Sequence, residues 1–230
     1  MKAIILSGGQ GLRMRPLTDD RPKPLVPVNG RPLSEHQIDW LMKDRLVDSI
    51  VFACGYKWEK LKEHFGSSYN GVKIDYSVET ESLGTGGAIK KALSLCAGEE
   101  MCIALNGDVI ADFEVRKMVD AHNSASGVSA TMLVVPYQSR FGVVRIDKLK
   151  MVRGFEEKAA FPDVWINGGV YVMNIRKTFK HLPDKGDVER ETFPKMVERG
   201  ELMSYPYYGD WKYLDTVKDL IELEDELKVR

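Results

Sequence analysis

Hydrophobic residues in this chain fall into short runs separated by polar, periodic stretches. Lys2–Leu6 (Lys-Ala-Ile-Ile-Leu) ends at Ser7-Gly8-Gly9, the pattern of a buried parallel strand that stops at a loop. Ile50–Cys54 and Met101–Leu105 are similar runs, preceded by helix-period patterns over Leu33–Arg45 and Gly86–Leu95. Trp58–Phe65 also has helical spacing and leads into the strand-like Val72–Val78. Strand and helix alternating at this spacing predict an α/β fold, with a mainly parallel sheet flanked by helices.

The pattern changes after about residue 127. Val128–Val135, Gly142–Ile146, Met151–Phe155 and Ile166–Met173 read as strands with little helix between them. They predict a β-rich second half that adds antiparallel strands and a meander to the same sheet. A helix follows around Glu189–Arg199, and Pro194 either disturbs its middle or marks its true start. A strand near Leu202–Tyr205 and a final helix over Val217–Val229 complete the pattern. No linker or repeat is visible, so the 230 residues read as a single domain with halves of about 1–127 and 128–230.

Composition narrows the function. With 43% hydrophobic and 29% charged residues, disorder is excluded as the dominant state. Thirty-three Lys and Arg against 34 Asp and Glu leave no global field for nucleic acid or an anionic membrane, so neither is expected as a partner. No window approaches the ~18 apolar residues of a membrane span, and the N-terminal apolar run is too short for a secretory signal. The expected location is cytoplasmic. Cys54, Cys96 and Cys102 are odd in number without C-x-x-C spacing, and the four histidines stand apart, which argues against structural zinc and a disulfide framework. Cys54 and Cys102 lie inside strand-like runs and read as small buried hydrophobes.

The most informative stretch runs from Leu6 to Thr18, Leu-Ser-Gly-Gly-Gln-Gly-Leu-Arg-Met-Arg-Pro-Leu-Thr, followed by Arg21-Pro-Lys-Pro-Leu-Val-Pro-Val28. Gly8, Gly9 and Gly11 directly after a strand let successive N–H groups converge on one point, a concavity suited to phosphate. It is not a dinucleotide fingerprint, because position 14 is Met, nor a Walker A loop, because no Gly-Lys-Ser/Thr follows. Arg13, Arg15, Arg21, Lys23 and Arg31 against Asp19 and Asp20 give a local positive excess that fits a triphosphate; the competing reading is a solvated basic loop.

G-G-x-G-x-R-x-x-P-x-T followed by P-K-P-x-x-P-V resembles the sugar-1-phosphate nucleotidyltransferases, or nucleotide-sugar pyrophosphorylases. Further matches keep the family's order: Leu83-Gly-Thr-Gly-Gly-Ala-Ile89, Asn106-Gly-Asp108, Phe141-Gly-Val143, Phe155-Glu-Glu-Lys158 and Asn167-Gly-Gly-Val-Tyr171. The resemblance spans residue 1 to about 225. It implies the nucleotide-diphospho-sugar transferase fold, Rossmann-like, with a nucleotide-binding first half and a sugar-phosphate-binding second half. The appended C-terminal β-helix domain of some relatives is not expected. Among subfamilies, L-G-T-G-G-A-I and I-N-G-G-V-Y look most like the D-glycero-manno-heptose and mannose 1-phosphate guanylyltransferases, while R-M-R-P-L-T and N-G-D-V also occur in the N-acetylmuramate-1-phosphate uridylyltransferases.

The implied reaction is attack of a sugar 1-phosphate oxygen on the α-phosphorus of a nucleoside triphosphate, with pyrophosphate leaving and Mg²⁺ assisting. By resemblance, Arg13 meets the β- and γ-phosphates and Lys23 the α-phosphate, while Leu6, Gly8, Gly9, Gly11 and Gly84 line the nucleotide. Asp108 follows the Met101–Leu105 strand, at the carboxyl edge where open α/β sheets collect ligands, and its hard carboxylate suits Mg²⁺. Glu157 and Lys158 resemble the pair that meets the sugar and its phosphate, with Gly142 and Asn167 as further sugar-pocket positions. Ala159 replaces the usual proline, which predicts a looser loop to Trp165.

Glu79 stands where thymidylyl-transferring relatives carry glutamine. A carboxylate only accepts, which suits the paired N1–H and N2–H of guanine, so GTP is favoured; uridylyl-transferring relatives also carry glutamate, which keeps UTP open. The family's second metal ligand falls on Tyr213, leaving Asp215 as the preferred replacement and Asp210 as the alternative. A competing role for Asp215 is capping the final helix. A catalytically silent nucleotide-sugar sensor is the rival function, and a homo-oligomer is left open by the sequence.

Overall fold

The computed structural model describes residues 1–228. Its strands and helices in chain order are β1 (Lys2–Ser7), β2 (Pro27–Val28), β3 (Arg31–Pro32), α1 (Leu33–Met42), β4 (Ser49–Cys54), α2 (Trp58–Phe65), β5 (Ser68–Tyr69), β6 (Val72–Val78), α3 (Gly84–Leu93), β7 (Met101–Asn106), β8 (Val109–Ala111) and α4 (Val115–Ser124). The second half contributes β9 (Ala130–Gln138), β10 (Val143–Ile146), β11 (Val152–Glu156), β12 (Ala160–Asn174), α5 (Ile175–Phe179), α6 (Phe193–Glu198), β13 (Leu202–Pro206), β14 (Trp211–Tyr213) and α7 (Val217–Lys228).

Eight strands form the central sheet in the order β13–β9–β12–β7–β1–β4–β6–β5. The unbroken apolar runs are its central strands, covered on both faces. Successive residues of β1 and β4 alternate between two cores: Ala3, Ile5, Ile50 and Phe52 pack with residues of α1, α2 and α4, whereas Ile4, Val51 and Ala53 pack with residues of α3 and α6. That two-sided burial erases polar alternation from the sequence. A third cluster joins Met14, Val26, Val28 and Leu33 to Leu214, Leu220 and Leu223, so α7 anchors the loop after β1.

Strands β1, β4, β6, β7, β9 and β13 run parallel, while β12 is antiparallel to β7 and β9, and β5 to β6. The expected meander within this sheet is therefore corrected. Only β9 and β12 of the four second-half strands expected there join it; β10 and β11 form a separate antiparallel hairpin. Helix α1 ends at Met42 rather than residue 45, with Arg45 at a positive φ of 51°. Pro194 lies in the first turn of α6, after a π-helical turn over Val188–Thr192, so it marks the α-helix start, where its missing N–H has no helical partner to lose. The expected final-helix residue Val229 lies outside the described residues. Helix α4 was not predicted; its buried stripe of Val115, Met118, Val119 and His122 is short and interrupted by charges.

Register places the site. Leu6 pairs with Asn106, Ser7 with Cys54, and Cys54 with Val78, so β1, β4, β6 and β7 end level at one carboxyl edge. The chain proceeds from β1 outward to β4 and β6, then crosses back to β7 on the other side of β1. A crevice opens where the strand order reverses.

Candidate active site

The loops leaving these level strand ends line a cleft of about 690 Å³. Leu6, Gly8, Gly9, Gly11 and Arg13 reach it from β1, Glu79 and Gly84 from the β6–α3 connection, Asp108 from β7, and Asp215 from the approach to α7. Two glycines make that convergence possible. Gly11 has φ 61°, and its carbonyl accepts a hydrogen bond from the Thr18 hydroxyl at 2.8 Å, closing the loop on itself. A Cβ on Gly107 would stand 2.2 Å from the Leu6 carbonyl oxygen, so only glycine lets the β7 loop lie against β1.

Lys23 stands at the centre of the charged group. Its Nζ donates to Asp108 Oδ2 at 3.0 Å and lies 3.8 Å from Asp215 Oδ1; Asp215 Oδ2 in turn pairs with Arg13 at 2.5 Å. The Lys23 and Asp215 side chains are only 14% and 7% exposed, whereas Arg13 is 71% exposed and free to meet a ligand from the solvent side. Burial raises the Asp108 pKa against the opposing pull of Lys23. Tyr213 lies beneath two cations, with Lys23 Nζ 5.6 Å and the Arg140 guanidinium 5.7 Å from its ring centre. Burial and the two aspartates push its phenol up to about 12, which keeps it a neutral platform.

The donor set fits a hard divalent cation. Asp108 Oδ1 and Asn106 Oδ1 are buried with no hydrogen-bond partner, and Asp108 and Asp215 both approach the same ammonium. Two carboxylates, with substrate phosphates and water completing the shell, are a usual Mg²⁺ arrangement. Among the described residues no cluster of three or more His, Cys, Asp or Glu side chains could hold a metal by itself. Asp210 does not line the cleft. The capping role expected as an alternative for Asp215 is filled by its neighbours: Thr216 Oγ1 accepts from the Asp219 N–H at 3.2 Å, and the Asp219 carboxylate accepts from the N–H groups of Asp215 and Thr216 at 3.0 and 2.8 Å.

Of the five basic residues grouped in the sequence, only Arg13 and Lys23 line the cleft. Arg15 pairs with Asp19, Arg21 with Asp20, and Arg31 with Glu35 and Asp39, so the local excess of charge is mostly neutralised on the surface. Glu79 Oε2 accepts from the Leu83 N–H at 3.0 Å, while its other oxygen faces Gly8. Burial raises its pKa. The N–H groups of Gly86 and Gly87 at the start of α3 are both taken by the Gly186 carbonyl.

None of Gly142, Glu157, Lys158 and Asn167 lines this cleft. Gly142 lies against Phe155 and Glu157, whose ring and carboxylate occupy the space of a side chain. Lys158 Nζ is 3.3 Å from Glu222 Oε2 on α7. Asn167 donates to the Tyr171 hydroxyl at 2.8 Å and accepts from the Gly169 N–H at 2.9 Å. The looser stretch expected between Ala159 and Trp165 is a break in register rather than a loop: β12 begins at Ala160 and pairs Ala160 and Phe161 with Gln138 and Tyr137 of β9, and the ladder then shifts, leaving residues 162–164 unpaired before Trp165 meets Pro136. Arg140 and Asp187 were not singled out in the sequence. The second could be found only from the fold, since it reaches the cleft from the distant segment before α6.

A doubly wound sheet with a glycine loop, two convergent cations and two facing carboxylates at its switch point defines an α/β enzyme built to handle nucleoside phosphates. The Nucleotidyl transferase family model matches residues 2–229, and the chain belongs to that family, whose members are nucleotidyltransferases. It is 36% identical to the D-glycero-alpha-D-manno-heptose 1-phosphate guanylyltransferase of Aneurinibacillus thermoaerophilus, with 91% of this chain and 88% of that protein covered. It is also 36% identical to the mannose-1-phosphate guanyltransferase of Emericella nidulans; there 96% of this chain matches 62% of the longer relative. Among solved structures, HddC from Yersinia pseudotuberculosis shares the fold with a TM-score of 0.75, 24% identity and coverage of 98% and 99% of the two chains. The three thiols are buried and none forms a disulfide.

Proposed function

We propose that this nucleotidyltransferase uses GTP and a manno-type hexose or heptose 1-phosphate. An oxygen of the sugar phosphate attacks the α-phosphorus of GTP; the bond to the β-phosphate oxygen breaks, and pyrophosphate leaves with the electron pair. The observation that carries this reading is the meeting of Arg13, Lys23, Asp108 and Asp215 from three separated stretches in one cleft. Arg13 is placed to hold the leaving β- and γ-phosphates and Lys23 the α-phosphate, where negative charge must be offset as two anions join. Asp108 and Asp215 would hold Mg²⁺, which when bound supplies further positive charge to the phosphate oxygens.

Glu79 supports guanine. With Oε2 engaged by Leu83, the carboxylate still offers acceptor lone pairs to N1–H and N2–H, and it has no hydrogen to give a uracil or thymine carbonyl while ionised. The two relatives described above are named as guanylyltransferases of manno-configured sugar phosphates, which supports the same choice. The test is a matrix of GTP, UTP and dTTP against mannose, manno-heptose, glucose and N-acetylmuramate 1-phosphates, read by pyrophosphate release. GTP with a manno-type acceptor should dominate. Release with UTP and not GTP would overturn the base assignment, and no release with any pair would favour a silent binding subunit.

A further inference from the structure

Helix α1 carries a stripe of polar donors on its buried side. Ser34, Gln37 and Trp40 are three residues apart, so they follow one another along one face, and they are 0%, 1% and 5% exposed. Each donates to a loop carbonyl. Ser34 Oγ reaches the Pro24 carbonyl at 2.8 Å, and the Trp40 indole N–H reaches that of Phe113 at 2.9 Å. Between them, Gln37 Nε2 donates to two carbonyls, those of Asn106 at 3.1 Å and Val109 at 2.8 Å.

The carbonyls held by Ser34 and Gln37 border the charged group in the cleft. Strand β7 ends at Asn106 and β8 begins at Val109, so the Gln37 amide ties together both ends of the two-residue turn that carries Asp108. The Asp108 carbonyl accepts from the Leu214 N–H at 2.8 Å, which leaves that turn little freedom to re-aim the carboxylate. Pro24 directly follows Lys23, and the Leu33 N–H of the same helix donates to the Val26 carbonyl at 3.0 Å, so α1 also grips the segment that carries Lys23. One helix therefore holds the backbone behind both partners of the 3.0 Å contact between Lys23 and Asp108. A buried polar group costs free energy unless it is bonded, and Gln37 Oε1 is buried with no hydrogen-bond partner among the described residues. A hydrocarbon side chain of similar length would avoid that cost. What it could not supply is the pair of N–H donors across the Asp108 turn.

We propose that Gln37 and Ser34 are positioning residues for nucleotidyl transfer, Gln37 acting through Asp108 and Ser34 through Lys23, with α1 as the spacer that fixes the two relative to each other; this rests on Asp108 holding Mg²⁺ and Lys23 the α-phosphate, as proposed above. Gln37→Met should raise the Mg²⁺ concentration needed for GTP binding, read by calorimetry, by about ten-fold or more. Ser34→Ala should lower kcat/KM for the triphosphate about three- to ten-fold. Each effect should vanish once the residue it works through is gone: Gln37→Met adds nothing to the Mg²⁺ requirement of Asp108→Asn, and Ser34→Ala nothing to the loss in Lys23→Met. Trp40→Phe loses only the bond to Phe113, which does not line the cleft, so it should lower the melting temperature and leave both quantities unchanged. If Gln37→Met does not fold, the Ser34→Ala arm decides by itself. A Mg²⁺ requirement unmoved by Gln37→Met but raised by Asp108→Asn, a Ser34→Ala variant with wild-type kcat/KM, effects that add in the double variants, or equal shifts in Trp40→Phe would each overturn the proposal and leave the stripe a folding feature. A wild-type Mg²⁺ requirement in Asp108→Asn would overturn the metal assignment as well.

Discussion

Replacing Lys23 by Met keeps a long apolar stem and removes the one cation that both aspartates face. Arg13 still pairs with Asp215, but Asp108 loses its only ion-pair partner among the described residues, and its Oδ1 already has no hydrogen-bond partner there. Breaking a wholly buried pair costs about 3–5 kcal/mol; because the Asp108 side chain is 20% exposed, a loss of about 2–3 kcal/mol at neutral pH is expected. The sign with pH follows from the carboxyl. Its pKa is already raised in the folded state, and losing Lys23 raises it further, so the folded state binds the proton more tightly than the unfolded one. The destabilisation should therefore be small below the ordinary carboxylate value of 3.8 and grow as pH rises through the raised folded value. Adding Asp108→Asn removes the stranded charge and should recover about 1.5–3 kcal/mol in urea unfolding. Catalysis should not recover: kcat/KM for the triphosphate should fall by about 2–5 kcal/mol in both single and double variants. Additive stability effects, a penalty independent of pH, or unaltered triphosphate kinetics would refute the reasoning.

Glu79→Gln should weaken GTP use and relatively favour UTP or dTTP in kcat/KM ratios. Because burial raises the Glu79 pKa, wild-type KM for GTP should rise as pH falls through that value, and the variant should lose this acidic limb. Asp215→Asn should raise the Mg²⁺ concentration needed for GTP binding, measured by calorimetry, whereas Thr216→Ala should cost about 1 kcal/mol of stability and leave the Mg²⁺ dependence unchanged, since Thr216 is the helix cap. His122 is buried, with its pKa lowered from 6.5 by desolvation, so stability should decline as pH falls below 6.5 and toward the folded value. A His122→Gln variant should flatten that slope in thermal unfolding scans.

The parallel core was legible because its strands are unbroken apolar runs ending in glycine or polar loops, and the strand ends that lead into Gly8 and Asp108 follow from the same runs. The sheet's outer half was not. A hydrophobic period shows that β10 and β11 are strands but not which strand they meet, and their exposed apolar face mimics the face of a sheet strand. Charge counting also misled, because it cannot see that Arg15, Arg21 and Arg31 turn toward carboxylates nearby in sequence. The roles of Tyr213 and Arg140 needed the fold, since their stacking with Lys23 joins three segments distant in the chain.

Nucleotidyl transfer is tested most directly by following the phosphorus atoms. With GTP labelled separately at the α- and γ-phosphates and a manno-type heptose 1-phosphate as acceptor, the α-label should appear in a nucleotide sugar and the γ-label in pyrophosphate, only when both substrates are present. Transfer of the γ-label to the sugar phosphate, or release of labelled phosphate without acceptor, would contradict attack at the α-phosphorus and with it the roles given to Arg13, Lys23 and Asp108.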